Sequence, residues 1–271
     1  MNILSKEKQT QIINALVEGC SVRATGRLVG VEHKTVLRVL LRAGERCHKL
    51  LDERMRNLKA RLIQVDELHS FCFVRQKNLD PKRHDEIAMG EQYLFIAMDS
   101  ETKLVPSFVV GKRTAANAYY LMKDLESRLA TRTQLTTDGF SPYVNAVDDT
   151  FGTNVDYAML VKIYSGDEAE RERYSPSDIV DTRAVSVMGK PKPEFISTSH
   201  IERQNLTVRM QLRRFTRLTN GFSKKLENMK AAISLYFAWY NFCRVHSSLR
   251  VTPAMASGLT TEVWPLASLL G

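Results

Sequence analysis

Three carboxylates in this sequence lie where a side chain could bind a cation, and Asp66 is the first of them. It lies inside the run RLIQVDELHSFCFV, whose β-branched and aromatic residues are typical of a buried strand. An ionised carboxylate on such a strand is expensive unless it is paired or binds a cation. The structural alternative is a salt bridge from Asp66 to an arginine, with Glu67 as the exposed neighbour.

Asp138 is the second carboxylate, and it follows the predicted strand in TQLTTDGFSPY. Gly139 and a Ser-Pro turn come directly after it, so the backbone turns away at this point. Open sheets place their ligands at the carboxyl ends of strands, which favours a binding role for Asp138. Asp99 also follows a strand, but its place before a Ser-Glu-Thr turn favours a turn-capping role.

Glu202 is the third carboxylate, and it is the only acidic residue in STSHIERQNLTVRMQLRRFTR, residues 197–217. Ser199 followed three residues later by Glu202 is the capping-box pattern of a helix N-terminus, which is the structural interpretation. The functional interpretation is a metal ligand at the head of the helix. The helix dipole favours a carboxylate in the first turn in both cases.

Asp66, Asp138 and Glu202 together predict a catalytic metal site. Two strand residues and one residue at a helix start can converge above a mixed sheet and hold two Mg²⁺ or Mn²⁺ ions, which prefer oxygen ligands. Two such ions about 3.5–4 Å apart promote in-line displacement at phosphorus without a side-chain nucleophile. The pattern therefore indicates metal-dependent phosphodiester chemistry with no small-molecule cofactor.

The elements that must position these residues alternate along the chain in an α/β pattern. A strand with Asp66 is followed by a hairpin, a helix, the strand before Asp138, a further strand and the helix with Glu202. We therefore expect a mixed five-stranded sheet flanked by helices. Residues 165–195 are charged and broken by proline and glycine, which predicts a mobile excursion. The stretch SKKLENMKAAISLYFAWYNFC has apolar residues at helical spacing and is expected to be core.

The first 46 residues predict a separate helical unit with the helix-turn-helix arrangement. Gly19 and Gly30 separate three short amphipathic segments. The residues expected to face a DNA groove are His33, Lys34, Thr35 and Arg38. A three-helix bundle that binds protein, or binds nothing, is the alternative. Residues 47–61 then form a helical linker, and residues 62–271 form the catalytic domain.

The positive charge is concentrated in two blocks. The chain has a net charge of +9 and a pI of about 9.4. Residues 1–61 hold 13 Lys and Arg against 6 Asp and Glu, and residues 203–226 hold seven bases and no acid. Two such blocks are expected where two surfaces meet the phosphates of double-stranded DNA. The phosphate contacts expected in the second block are Arg203, Arg209, Arg213, Arg217, Lys224 and Lys225.

Bulk composition excludes several other classes of protein. With 271 residues and 44% hydrophobic residues, the chain can bury an ordinary core. Its four cysteines are scattered, which indicates neither a zinc ribbon nor a disulfide framework. The opening MNILSKEKQTQ has no apolar signal region, and no run approaches the roughly 18 apolar residues of a membrane span. The expected location is cytoplasmic, and nucleoid-associated in a bacterium.

Five stretches carry a resemblance to a known family. They are QVDELHSF, GKRTAANAYYLMKDLESRL, LTTDGFSPY, HIERQNLTVRMQLRRFTRLTNGFSKKLEN and YFAWYNFCRVHSSLRVTPAMASGL. With these stretches the chain resembles the DDE transposases, which have a ribonuclease-H-like catalytic domain, and specifically those of IS1-family insertion sequences. The resemblance covers nearly the whole chain past residue 60.

The resemblance implies a function and roles for particular residues. The activity would be metal-dependent cleavage at the ends of an insertion sequence and transfer of the 3′-hydroxyl strand into target DNA by at least a homodimer. Asp66, Asp138 and Glu202 would be the catalytic and metal-binding residues, and the basic helix after Glu202 would line the DNA. Arg244 and His246 would belong to the family's YN-x-x-R-x-H ending. A DNA-binding regulator that has lost catalysis is the alternative function.

Two features depart from the family pattern. Some members begin with a zinc-binding cysteine cluster, which this sequence lacks, so DNA recognition would depend on the helix-turn-helix alone. His69 stands where the D-E-x-W pattern has tryptophan. That change alters local packing but involves none of the three expected ligands.

Overall fold

A computed structural model of the protein describes residues 4–164, 179–217 and 219–271. The strands are β1 (Leu62–Cys72), β2 (Gly90–Asp99), β3 (Ser107–Gly111), β4 (Thr133–Thr137), β5 (Val155–Tyr164) and β6 (Ile179–Met188). The helices are α1 (Lys6–Val17), α2 (Val22–Val29), α3 (His33–Arg54), α4 (Ala115–Glu126), α5 (Pro142–Phe151), α6 (Ser199–Gln211), α7 (Leu226–Phe242) and α8 (Pro253–Ala256). None of these helices combines the length and the apolarity that a bilayer crossing requires.

The strands form one mixed sheet in the order β3-β2-β1-β4-β5-β6. Strands β1, β4 and β5 are parallel, whereas β2, β3 and β6 are antiparallel to their neighbours. Helices α4 and α5 cover one face of the sheet, and α6 and α7 cover the other. The predicted fold class, a mixed α/β sheet flanked by helices and preceded by a helical unit, is confirmed.

The sheet has six strands rather than the predicted five. The additional strand, β6, occupies residues that the sequence analysis assigned to a mobile excursion, so that assignment is wrong for Ile179–Met188. Most of its side chains are exposed, and a strand without a buried face shows no hydrophobic alternation in sequence. The excursion's residues 165–178 lie outside the described part of the chain.

Helix α5 is a second element that the sequence pattern did not predict. The Ser-Pro dipeptide was interpreted as a turn, but Pro142 occupies the first turn of a helix that runs to Phe151. Proline is favoured there because the first amides of a helix have no intrahelical acceptor. The helix brings Tyr143, which is completely buried, beneath the end of β4.

The N-terminal helices pack on the rest of the protein instead of standing apart from it. The third of the short segments expected from sequence is part of a longer helix, α3, which continues without a break to Arg54. A Cβ on Gly44 would lie 2.5 Å from the Cβ of Ala231 in α7, so this glycine permits close helix packing. Helices α1, α3 and α7 thereby share one hydrophobic core with one face of the sheet.

Candidate active site

The register of β1 and β4 brings Asp66 and Asp138 together. The two strands are parallel, and Val65 pairs with Thr137, the last residue of β4. Asp66 and Asp138 are the next residue on each strand. The expected convergence of these two carboxylates is therefore a direct consequence of strand pairing.

Glu67 joins Asp66 and Asp138 in one cluster. Each of the three carboxylates offers an oxygen that lies within 4.8 Å of the other two. The alternative that placed Glu67 on the exposed side is wrong, because its side chain is only 3% exposed. Consecutive residues of a strand face opposite sides of a sheet. They meet here because β4 stops at Thr137, which leaves Asp138 accessible from both faces.

Asp66 lies on the face covered by α6. Its Oδ1 accepts a hydrogen bond from the Glu67 amide at 2.8 Å, and its Oδ2 accepts one from Nδ2 of Asn205 at 2.8 Å. The alternative of a salt bridge from Asp66 to an arginine is not found within the described residues. A neutral amide on α6 fixes this carboxylate without cancelling its charge.

Arg113 approaches the cluster from the opposite face, where α4 and α5 lie. Its Nη2 is 3.7 Å from Oε2 of Glu67 and 3.8 Å from Oδ2 of Asp138. The guanidinium stacks on the Phe140 ring, 3.9 Å from the ring centre, and the side chain is 39% exposed. Both charge contacts are longer than an ordinary hydrogen bond, so Arg113 offsets only part of the negative charge.

The cluster raises the pKa values of its own carboxyl groups. Burial, followed by the charge of Asp138, raises the pKa of Asp66 to about 7. The same two causes raise the pKa of Glu67 to about 8, against the opposing effect of Arg113. Burial also raises the pKa of Asp138. The raised values at three adjacent acids therefore reflect burial first, which the positive charge of Arg113 offsets only in part for Glu67 and Asp138.

Glu202 lies in the first turn of α6, beside the cluster but not within it. Its carboxylate accepts a hydrogen bond from the Thr198 hydroxyl and forms an ion pair with Lys162 of β5. Its charge contributes to the raised pKa of Asp66, so the two groups interact electrostatically. The structure thus brings together Asp66 and Asp138, with Glu202 close by on the adjacent helix.

The start of α6 is fixed by a residue from the sheet. Thr198 is the N-cap, and the capping box that was the structural interpretation of Glu202 does not form. Oε1 of Gln64 on β1 instead accepts hydrogen bonds from the amides of His200 at 3.0 Å and Ile201 at 3.1 Å. These bonds tie the first turn of α6 to the strand that carries Asp66.

The donor set of the cluster fits a hard divalent cation. Its available ligands are carboxylate oxygens, which Mg²⁺ and Mn²⁺ prefer. Oε1 of Glu67 and the hydroxyl of Tyr143 are buried, and neither has a hydrogen-bond partner among the described residues. Buried polar atoms are ordinarily paired, and these two oxygens belong to neighbouring side chains, so a weak mutual contact or a bound cation accounts for them.

The residues expected to bind DNA are mostly exposed. His33 and Lys34 begin α3, and Arg38 lies one turn later and donates a hydrogen bond to the Thr35 hydroxyl at 3.0 Å. In the second basic block, Arg203, Arg213, Arg217, Lys224 and Lys225 are exposed. These positions are compatible with contacts to phosphates.

Two residues of the second basic block differ from the sequence-based description. Helix α6 ends at Gln211, and Arg213 begins a short 3-10 turn, so Arg213 and Arg217 do not share one helix face. Arg209 is half-buried and donates a hydrogen bond to the Phe215 carbonyl at 3.3 Å. Burial, followed by the charge of Arg217, lowers the pKa of Arg209 to about 10.

A cavity of about 640 Å³ lies between the N-terminal helices and the second basic block. Its walls include His33 from the first block and Arg213 and Lys224 from the second. No carboxylate is found among the described residues that line it. Most of the other lining residues are apolar, so the two basic blocks border one largely apolar cavity.

The residues implied by the C-terminal motif have structural contacts. Arg244 donates a hydrogen bond to Oε1 of Gln211 at 2.6 Å and lies over the Trp239 ring. Nδ1 of His246 is 3.0 Å from the Ser248 hydroxyl. His69 contacts Tyr93 edge-on and lies 3.8 Å from Glu91.

Four residues near the site were not identified from sequence as functional. They are Asn205, Arg113, Lys162 and Gln64. Asn205 carried a usable signal, because it lies three residues after Glu202 on the same helix face. The other three come from distant parts of the chain, and nothing in their local sequence indicates the cluster.

Some solved structures of a transposase are similar to this chain at low sequence identity. No family model matches the sequence, and no curated protein matches it. Among solved structures, a Mos1 transposase paired-end complex with the left transposon end is 16% identical, with 58% of this chain and 60% of that chain covered and a TM-score of 0.25. The Mos1 strand transfer complex is 13% identical over 87% and 78% of the two chains, with a TM-score of 0.27.

The first of these matches spans about 60% of the length of the Mos1 chain. TM-scores this low do not establish a common fold, and the two structures described are Mos1 transposase complexes.

Proposed function

We propose that the protein is a metal-dependent DNA transposase of the DDE type, in which Asp66, Asp138 and Glu202 are the catalytic residues. The observation that supports this most strongly is the meeting of Asp66 and Asp138 beside the end of β4, with Glu202 on the adjacent helix. The reaction would be cleavage at insertion-sequence ends and transfer of the 3′-hydroxyl strand into target DNA. Assignment to the IS1 family belongs to the same proposal and is supported by the sequence motifs alone.

The chain's own residues prepare the site for this chemistry. Two divalent ions, when bound, would activate the attacking oxygen and stabilise the leaving oxygen. Asn205 donates a hydrogen bond to Oδ2 of Asp66 and, as a neutral amide, adds no charge to the site. Gln64 fixes the helix that carries Glu202, and Lys162 neutralises Glu202 in this structure. Asp66 and Glu202 are thus held by partners from α6 and the sheet, and Oδ1 of Asp138 accepts a hydrogen bond from the Phe140 amide at 3.0 Å.

Double-stranded DNA is the proposed partner. His33, Lys34, Thr35 and Arg38 would contact a groove as a helix-turn-helix recognition surface. The phosphate contacts would come from Arg203, Arg209, Arg213, Arg217, Lys224 and Lys225. Since transposition brings two DNA ends together, the active form would be at least a homodimer.

The test is a strand-joining assay. Purified protein is incubated with Mg²⁺ or Mn²⁺, a labelled fragment from the flanks of the gene and a target plasmid. Wild type is compared with Glu202→Gln and with Glu227→Gln, a matched control in which the glutamate lies in the first turn of α7. We expect joined products from wild type and Glu227→Gln, and none from Glu202→Gln.

Two other outcomes would change the assignment. If all three proteins bind the fragment and none joins it, the protein is a catalytically idle DNA-binding regulator. If Glu202→Gln joins DNA as fast as wild type, Glu202 is not a catalytic residue and only the two aspartates remain from the proposed set.

A further inference from the structure

We propose that Glu67 is a ligand of the metal centre together with Asp66 and Asp138. The positive charge of Arg113, beside the same carboxylates, opposes the binding of a cation there. This inference rests on the metal dependence of the proposed function and on none of its DNA chemistry. It adds a fourth carboxylate to a site for which the sequence motifs imply three.

The distances within the cluster suit a single cation. One oxygen from each of Asp66, Glu67 and Asp138 lies within 4.8 Å of the other two. Ligand oxygens about 2.1 Å from an octahedral ion lie roughly 3–4.2 Å from one another. Small side-chain rotations would therefore bring all three oxygens into the coordination shell of one ion.

One oxygen of Glu67 is buried and lacks a well-formed hydrogen bond. The side chain is 97% buried, and its Oε1 has no hydrogen-bond partner among the described residues. The hydroxyl of Tyr143, which is completely buried, neighbours Glu67, and burial followed by the charges of all three carboxylates raises its pKa. Asp99 shows the opposite arrangement, because this buried carboxylate accepts bonds from the Glu101 and Thr102 amides and the Thr102 hydroxyl.

Arg113 has the geometry of a weak counter-charge. It contacts Glu67 and Asp138 at 3.7 and 3.8 Å, without a hydrogen bond to either one. It is partly exposed and is held by stacking on Phe140. A divalent ion among these oxygens would stand close to a fixed positive charge, which opposes binding.

The two residues therefore predict opposite effects on metal affinity. Mn²⁺ binding is measured without DNA, by the electron paramagnetic resonance signal of the free ion. We expect Glu67→Gln to weaken Mn²⁺ binding by about tenfold or more, as for loss of a charged contact to the ion. We expect Arg113→Gln to strengthen it by about threefold, because an opposing charge is removed. Asp99→Asn, which removes a buried carboxylate outside the cluster, is expected to bind as wild type does.

Circular dichroism and thermal unfolding show whether each variant is folded. Glu67→Asp keeps the charge on a shorter side chain, and it is expected to lose less affinity than Glu67→Gln. This second variant keeps the test informative if Glu67→Gln does not fold.

Several results would overturn the inference. Equal Mn²⁺ affinity of folded Glu67→Gln and wild type would leave Glu67 as a structural acid beside Tyr143. If Glu67→Gln does not fold, Glu67→Asp replaces it in this comparison. An Mn²⁺ affinity of Glu67→Asp equal to that of wild type would then also leave Glu67 as a structural acid. Weaker binding by Arg113→Gln would mean that Arg113 holds the ligands in place, and a wild type without Mn²⁺ binding would remove the metal centre altogether. Mn²⁺ binding as predicted without strand joining would contradict only the transposase proposal.

Discussion

Asp66 and Glu67 show how a strand can direct two consecutive residues to one site. Alternation sends their side chains to opposite faces, towards Asn205 of α6 and Tyr143 of α5 respectively. The site forms because β4 ends at Thr137 and leaves Asp138 between the two faces. Sequence patterns identified Asp66 and Asp138, but the third member of the cluster depends on where the neighbouring strand stops.

Asn205 gives the first prediction at the level of single residues. Asn205→Ala removes the hydrogen bond to Oδ2 of Asp66 and frees that carboxylate to rotate. We expect metal affinity or joining rate to fall by about 10- to 100-fold, as for other partners that orient metal ligands. Mn²⁺ titration and the joining assay measure this. Thr207→Ala on the same helix is the control, because the Thr207 hydroxyl bonds only to the Arg203 carbonyl among the described residues. Equal losses in both variants would indicate damage to α6 rather than to the site.

The raised pKa of Glu67 predicts how stability depends on pH. Its folded value of about 8 lies above the usual 4.5, so between these values the metal-free folded protein holds a proton that the unfolded chain has lost. The free energy of unfolding must therefore fall as pH rises from about 5 to 8. Glu67→Gln removes this titration, and we expect it to raise the free energy of unfolding at pH 8 by more than ~1 kcal/mol relative to wild type.

Urea denaturation in EDTA at pH 5, 6, 7 and 8 measures this effect. The exposed Glu126→Gln serves as the control and is expected to follow the wild-type pH curve. If the Glu67→Gln curve runs parallel to that of wild type, then Glu67 does not titrate in this range and its burial is compensated in the folded protein.

At the level of elements, the sequence predicted what periodicity and strand ends encode. The runs that form β1, β2, β3, β4 and β5 are apolar and β-branched, and α7 has the helical spacing of a core helix. Helix α5 was not predicted because a Ser-Pro dipeptide is common both in turns and at helix starts. The ten-residue helix that follows Ser141 was too short to decide between them. Strand β6 was missed because its exposed side chains give no period of two.

The cap of α6 shows a further limit of local patterns. Ser199 and Glu202 have the spacing of a capping box, but Gln64, 136 residues from His200, accepts the helix amides instead. A pairing between residues so far apart appears only in the folded chain. The sequence pattern correctly predicted that Glu202 lies in the first turn of a helix. The capping box, which was the structural interpretation of Glu202, does not form.

Gln64 is accordingly expected to support both stability and activity. Gln64→Ala leaves the His200 and Ile201 amides without their acceptor, and losing a helix cap costs about 0.5–2 kcal/mol. The joining rate should also fall, since the first turn of α6 carries Glu202. Gln9→Ala, whose side chain bonds to Leu4 in the N-terminal part of the chain, is the control. Chemical denaturation measures the free energy of unfolding, and the joining assay measures the rate. Wild-type values of both in Gln64→Ala as well as in Gln9→Ala would contradict this role of Gln64.

Gly44 tests the contact between α3 and α7. Alanine normally stabilises a helix by roughly 0.5–1 kcal/mol relative to glycine. Here the added Cβ would lie 2.5 Å from backbone and side-chain atoms of Ala231, so steric overlap decides the sign. We expect Gly44→Ala to lower the free energy of unfolding by about 1–3 kcal/mol in urea denaturation. The exposed Glu45→Ala on the same turn should have little effect, and a stabilised Gly44→Ala would show that the two helices can separate without loss.

At the level of the whole molecule, the helical N-terminus and the sheet are joined by one core. Ile12 and Val36 from the N-terminal helices belong to the same buried cluster as Ile233 and Phe237 of α7. The predicted linker at residues 47–61 includes the buried Cys47 and Leu51, which pack in that core. The two basic blocks are consequently held in a fixed relation on either side of one cavity.

This shared cavity predicts that both blocks contribute to binding of one DNA duplex. Arg213 and Lys224 line it together with His33, and each lysine or arginine that neutralises a phosphate releases a bound counterion. In EDTA, the logarithm of the affinity for a 30-base-pair duplex is measured against the logarithm of the KCl concentration. For Arg213→Gln with Lys224→Gln we expect weaker binding and a slope reduced by about 2, roughly 1 for each lost contact. Lys49→Gln, a lysine paired with Glu45, should leave the slope unchanged. An unchanged slope in the double variant would mean that the second basic block faces solvent, and phosphate binding would then have to come from the helices that begin the chain.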